Sequence, residues 1–253
     1  MRLPCKPENN IARRGFTLIE LAIVLAILGL LLGGGSMLLQ PMLDNNKRNE
    51  TKSKLKSIED ALAVYAANND DIPCPSNMTL GPGSASNGIP ANICNVTMAF
   101  GGVPWQALGL SEADVLDGWG RRISYAVTSA VAKGDDKLKC SGGFKNLTPG
   151  ILQVRGASNT APPDPRAAYV LISHGENGAG GYLPSGARLP LTTASETETI
   201  NSKSYGSAPA GVGDVNLIFY YEKRDSGDSK IGFDDIVRFR TSGQLTIAYG
   251  CKP

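Results

Sequence analysis

The sequence predicts an α+β protein in which a long N-terminal α-helix packs on an antiparallel β-sheet. Three observations carry this. Residues 21–39 read LAIVLAILGLLLGGGSMLL, 19 consecutive residues without a charge. Residues 47–67 continue with Leu55, Ile58, Leu62 and Tyr65 on one helical face. Beyond residue 120, short β-branched and aromatic runs recur between Gly, Asp and Ser. The 253 residues hold 25 Lys+Arg against 23 Asp+Glu, a formal net charge of +2. That balance excludes a protein that works through a broadly basic nucleic-acid surface. The single histidine, His174, excludes a multi-histidine metal centre.

The first fifteen residues carry Arg2, Lys6, Arg13 and Arg14 against Glu8. A short basic stretch before an apolar run is an export signal, and three kinds compete. A signal-peptidase-I signal would use Gly33, Gly34, Gly35 and Ser36 as its small-residue site. A twin-arginine signal is suggested by Arg13-Arg14-Gly15-Phe16. Neither explains Glu20, a carboxylate inside the apolar stretch. The third does: Arg-Arg-Gly followed by Phe-Thr-Leu-Ile-Glu, Arg13 to Glu20, resembles the prepilin peptidase site of type IV pilins and type II secretion pseudopilins. The resemblance implies cleavage after Gly15 on the cytoplasmic side, N-methylation of the new N-terminal Phe16, and use of Glu20 in assembly. It also implies a pilin-like fold. A carboxylate in lipid is costly and finds a partner. The nearest cation after cleavage is the Phe16 amine of a neighbouring subunit.

The chain then divides into a leader (1–15), a transmembrane and assembly helix (16–40), an amphipathic continuation (41–68) and a periplasmic globular domain (69–253). As helix, the uncharged run spans roughly 28 Å, about one hydrocarbon core. Pro41 should bend the helix, and Gly33, Gly34 and Gly35 weaken it by up to about 1 kcal/mol each. Residues 33–41 thus read either as a locally meltable stretch or as a close-packing one. Lys47, Arg48, Lys52, Lys54 and Lys56 follow the run, so charge counting does not favour a cytoplasmic N-terminus. The peptidase motif and the cysteines do favour it, placing the chain once across the bacterial inner membrane or in an extracellular filament.

There are five cysteines: Cys5, Cys74, Cys94, Cys140 and Cys251. Cleavage after Gly15 removes Cys5 and leaves four in the periplasmic domain, where disulfides persist. Cys74 and Cys94 share one loop-rich stretch, which favours Cys74–Cys94 and leaves Cys140–Cys251 to tie down the C-terminus. A zinc site is the alternative, but no CxxC pair is present.

Residues 68–94 are too rich in Pro, Gly and Asn for regular structure. Next comes Asp117-Gly118-Trp119-Gly120, ending at Tyr125, which is similar to the D-x-W-G-x-x-x-x-Y turn that leads into the first strand of pseudopilins. Trp105 and Trp119 read as core anchors. Strands are expected at 123–127, 168–173, 215–221, 236–239 and 245–249. Residues 184–214 read as an exposed insertion suited to subunit or substrate contacts.

Residues 173–181, SHGENGAGG, are the densest constellation. They lack the spacings of a phosphate-binding loop, and no G-x-S-x-G elbow supports a hydrolase built on His174. No enzymatic activity is expected, and no cofactor unless calcium. The calcium-binding stretch of the major type II pseudopilin, G-A-D-G…G-G…D-I, is similar to Gly175-Glu176-Asn177-Gly178, Gly180-Gly181 and Asp234-Asp235-Ile236. That resemblance implies Asn177, Asp234 and Asp235 as calcium ligands, although Asn177 stands where the family has Asp. A glycine loop with Asp234 and Asp235 capping a turn is the other reading.

The function implied is that of a structural subunit of a type IV pilus or type II secretion pseudopilus. Its partners would be other pilin or pseudopilin subunits, prepilin peptidase and an inner-membrane assembly platform. The alternative is a minor pilin that binds a surface ligand or DNA, although near-neutral charge argues against nucleic acid.

Overall fold

A computed structural model describes residues 15–69, 71–92, 99–132, 152–156, 166–192, 195–203, 205, 218–221, 233–241 and 244–245; side chains at 31–40 lie outside it. The chain forms two compact units, Met1–Asp44 and Asn45–Pro253. The helix α1, Leu18–Asn69, passes through the boundary between them and is helical at Gly33, Gly34, Gly35 and Pro41.

In the first unit, α1 starts with a reciprocal cap. The Glu20 amide donates to Thr17 Oγ1 at 3.3 Å, and Glu20 Oε2 accepts from the Thr17 amide at 3.1 Å and its hydroxyl at 3.0 Å. This satisfies donors that the first helical turn leaves open. All residues from Gly15 to Leu30 are exposed, among them Phe16 at 84% and Leu18 at 88%. Among the described residues no helix is long and apolar enough to cross a membrane. The uncharged run at 21–39 extends past Leu30 into residues whose side chains lie outside them.

In the second unit, α1 buries Thr51, Leu55, Ile58, Glu59, Leu62 and Ala66. The expected face is thus the docked one, with Ala66 filling the place given to Tyr65, which is only half-buried. Leu55, Ile58 and Leu62 pack with Ile123, Tyr125, Val127, Tyr169 and Leu171. Glu59 is buried against Arg238 Nε (2.9 Å) and Arg240 Nε (3.2 Å), which cross from the last strand.

The sheet has six strands: β1 Phe100–Gly102, β2 Ser124–Val127, β3 Leu152–Gly156, β4 Arg166–Ser173, β5 Ile218–Tyr221 and β6 Ile236–Thr241. The central strand is β4. Along one edge it pairs antiparallel with β6; along the other it pairs with β2 (Tyr125↔Leu171) and then β3 (Leu152↔Ala167). A register shift between Ala167 and Tyr169 sends Ala167, Val170 and Ile172 into one core cluster and Ala168, Tyr169 and Leu171 into the α1-facing one, as a bulge does.

Three expectations are corrected. The sheet is mixed, because β3 and β5 run parallel (Val154↔Phe219). The strand expected at 245–249 is not a strand at its start: Gln244 and Leu245 are helical, and Thr241 and Gln244 form a reciprocal cap (3.0 and 3.2 Å). Its remaining residues lie outside those described. The insertion at 184–214 is not wholly irregular, since a helix α2, Glu196–Asn201, starts from a capping box between Ser195 and Glu198.

The Asp117 turn explains its own motif. Asp117 Oδ1 accepts from the amides of Trp119 and Arg121, both at 2.9 Å, and Oδ2 accepts from Ser173 Oγ at 2.8 Å. Gly118 is needed because a Cβ there would stand 2.3 Å from the Lys47 carbonyl oxygen, and its amide donates to Thr51 Oγ1 at 2.9 Å. Trp119 lies under the guanidinium groups of Arg48 and Arg121, 5.8 and 5.4 Å from the ring centre. Trp105 packs against the α1-facing core, as expected of an anchor.

Candidate functional site

Two places carry chemistry, one in each unit. In the first, the Gly15–Phe16 peptide bond lies in non-helical chain just before α1, and a Cβ at Gly15 would meet nothing within 4 Å. An exposed, unstructured bond is what a peptidase can thread. The Thr17–Glu20 cap places the Glu20 carboxylate against the residue next to Phe16. Glu20 is the lone charge among residues 15–30.

In the second unit, Asp234 and Asp235 lead into β6, and α2 brings Glu198 to them. One carboxylate oxygen from each lies within 4.8 Å of the others, and all three residues are buried. Asn177, on the turn after β4, binds them together. Its amide donates to Asp234 Oδ2 at 2.7 Å, and its Nδ2 donates to both Glu198 oxygens at 3.2 Å. Its Oδ1 already accepts from the Ala179 amide at 2.8 Å. Asn177 therefore enters the cluster as a donor that aims carboxylates, while Asp234 and Asp235 face inward.

Burial governs the electrostatics. Desolvation pushes Asp234 up to about 7, with Glu198 adding to the rise, and it raises Asp235 well above the ordinary carboxylate range. His174 is pressed down to about 3, first by desolvation and then by Arg121 and Arg188. It is thus a neutral imidazole, and the 3.8 Å between its Nδ1 and Asp235 Oδ1 is no ion pair. Its other nitrogen, Nε2, lies 3.0 Å from Ser124 Oγ. Ser124, His174 and Asp235 stand in the order of a hydrolase relay. Ser124, however, is fully buried inside the sheet between Gly102 and Ile172.

Sequence reasoning placed Asp234, Asp235 and Asn177 together and missed Glu198. The missed signal was Ser195-Glu196-Thr197-Glu198, an S-x-x-E cap inside the supposed loop. Cys74 is fully buried and disulfide-bonded. Cys94, Cys140 and Cys251 lie outside the described residues.

Residues 11–36 match the family model described as the prokaryotic N-terminal methylation motif, the signature of type IV pilins and pseudopilins. The match covers the bond after Gly15, Phe16, the cap at Thr17 and Glu20. The motif indicates a type IV pilin-like or pseudopilin precursor that prepilin peptidase processes, and it points to a structural, membrane-anchored or pilus-associated protein that assembles with other such subunits. No curated protein and no solved structure matches the chain.

Proposed function

We propose that the chain is a structural subunit of a type IV pilus or a type II secretion pseudopilus. Prepilin peptidase cuts between Gly15 and Phe16, Phe16 is methylated, and residues 16–40 hold the subunit in the inner membrane before assembly. The N-terminus is then cytoplasmic and residues 69–253 periplasmic. One observation carries this: an apolar helix exposed on every side, with one carboxylate near its start. Burying nine side chains such as Leu18, Ile19, Leu21, Ile23, Val24, Leu25, Ile27, Leu28 and Leu30 is worth roughly 1.5–3 kcal/mol each. A single carboxylate at mid-bilayer costs only about 2.5–3.5 kcal/mol on the insertion scale. The apolar term therefore dominates, and lipid or neighbouring helices take the segment despite Glu20. The carboxylate then selects among packings, because a neighbour's Phe16 amine neutralises it at one axial stagger.

The disulfide at Cys74 suits a periplasmic domain. We assign its partner as Cys94, with Cys140 and Cys251 as the second pair. The test is intact-mass analysis of the mature protein from cells with and without prepilin peptidase. The expected product begins at Phe16 and carries one extra methyl group. A product beginning near Ser36 would refute the reading, because the helix would have been discarded.

A further inference from the structure

We propose, on the reading that residues 16–40 hold the chain in the bilayer, that Lys47 and Lys52 of α1 dock on anionic lipid headgroups. The charge is local. From Leu21 to Leu43 no residue is charged, and residues 45–56 then carry Lys47, Arg48, Lys52, Lys54 and Lys56 against Glu50 alone. The whole chain is balanced, at 25 basic residues to 23 acidic. Three of the five are committed within the fold. Lys54 pairs with Glu50 at 2.8 Å, Lys56 pairs with Asp60 at 2.9 Å, and Arg48 lies over the Trp119 ring. Lys47 and Lys52 are exposed and, among the described residues, pair with no acid.

Their place in the chain selects the partner. Lys47 follows Leu43, the last residue of the uncharged stretch, by four residues, at most about 14 Å of chain. The headgroup layer is roughly 5–8 Å deep, and a lysine bends its long stem back toward it. Lys52 lies about 7.5 Å further along α1, within roughly one Debye length of Lys47. The two lysines stand about 140° apart around the helix, flanking the docked face at Thr51 and Leu55. A helix that crosses a sheet of phosphates meets them on every side, so both ammonium groups find a partner. A duplex or a peptide would meet one side only. Trp119, half-buried beside Arg48, adds an amphipathic ring of the kind favoured where membrane meets water.

The side on which the charge sits also needs a reason. Lysines on the translocated side of an apolar run oppose export. Before cleavage, Arg2, Lys6, Arg13 and Arg14 balance them from the other side. Cleavage after Gly15 removes all four, so the cleaved subunit keeps its lysines and arginine near the bilayer on the globular side alone. Anionic lipid would then hold the start of the globular unit at the surface, and release into a polymer would have to break that contact.

The test uses the full chain. In vesicles of phosphatidylcholine alone it should resist extraction with alkaline carbonate; a chain stripped off would remove the membrane-held reading and this proposal with it. In a neutral maltoside detergent holding equal phosphatidylglycerol and phosphatidylcholine, native mass spectrometry should show the anionic lipid bound at least about tenfold over the zwitterionic one, since each lysine near the surface contributes about fivefold. Raising ammonium acetate from about 0.05 M to about 0.5 M should erode that preference. Lys47→Gln/Lys52→Gln should bring the ratio close to one and leave urea unfolding unchanged, because both side chains are exposed. Lys56→Gln, which removes a lysine already held by Asp60, should keep most of the preference. A chain that stays in phosphatidylcholine vesicles yet takes up both lipids equally, or a double variant with the wild-type preference, overturns the proposal alone. Lipid indifference together with self-association lost in the double variant would assign the lysines to a neighbouring subunit and overturn it as well.

Discussion

Replacing Asp117 with Ala removes one side chain from four contacts at once. Asp117 is 2% exposed. Its loss strands the amides of Trp119 and Arg121 and the hydroxyl of Ser173, and it withdraws the carboxylate from Arg121 Nε, 3.5 Å away. A buried donor left without an acceptor costs about 1–3 kcal/mol. With three stranded donors and partial relaxation of the turn, the expected loss is roughly 3–6 kcal/mol. For a unit of this size that lowers Tm by roughly 10–20 °C. It is also a large share of the 5–15 kcal/mol that holds a typical domain together. Asp117→Asn should lose less, because its carboxamide oxygen can still accept from both amides. Ser173→Ala alone should lose about 1 kcal/mol. Urea unfolding of the globular unit in the detergent-solubilised chain, followed by Trp fluorescence, measures all three, and the Asp117→Ala/Ser173→Ala cycle measures the coupling. A loss under about 1 kcal/mol for Asp117→Ala would refute the idea that the D-x-W-G turn is locked by its acid.

Thr17→Ala deletes the cap at the start of α1 and should cost about 0.5–2 kcal/mol of local helix stability, read as faster amide exchange at 18–21. Lys203 lies over the Phe219 ring, 4.3 Å from its centre, and burial lowers its pKa to about 8. The unfolded chain therefore binds the extra proton between about pH 8 and 10.5, and stability should rise with pH across that window; Lys203→Met should abolish the slope in urea unfolding. Cys74→Ser should lower stability by about 2–4 kcal/mol under oxidising conditions and match wild type under reductant, and a non-reducing peptide map should join Cys74 to Cys94.

The parts of this fold that were legible in the sequence are those where one local pattern decides the outcome. The α1 face at Leu55, Ile58 and Leu62 follows from 3.6-residue periodicity, and β4 and β6 follow from β-branched runs. Two strands escaped. In β1, Phe100-Gly101-Gly102 has one strand-favouring residue beside two glycines; it is a strand because it pairs with β2 on one side (Gly101↔Tyr125) and exchanges hydrogen bonds between Gly102 and Ser76 on the other (both 2.9 Å), so close that a Cβ at Gly101 would be 2.4 Å from the Ser76 carbonyl oxygen. In β3, Leu152 and Val154 alternate inward with half-buried Gln153 and Arg155, a period-2 signal too short to stand out. Pairing direction was also invisible locally, since β5 lies parallel to β3 through contacts distant in sequence. At the acidic cluster, the carboxylates at 234 and 235 were legible by resemblance, whereas Glu198 was hidden because a loop-like composition masked α2.

The same contrast separates the two places that carry chemistry. Gly15, Phe16 and Glu20 could be read from eight contiguous residues because the methylation motif is a linear one, and the residues from Gly15 onward are exposed chain. The cluster of Glu198, Asp234 and Asp235 exists only after the sheet has formed, since its members lie on a turn-bound helix and on the entry to β6. A site assembled this late reports on tertiary packing. Raised carboxylate pKa values, caused first by desolvation, mean that closing the cluster costs free energy near neutral pH, which the packing around it must offset.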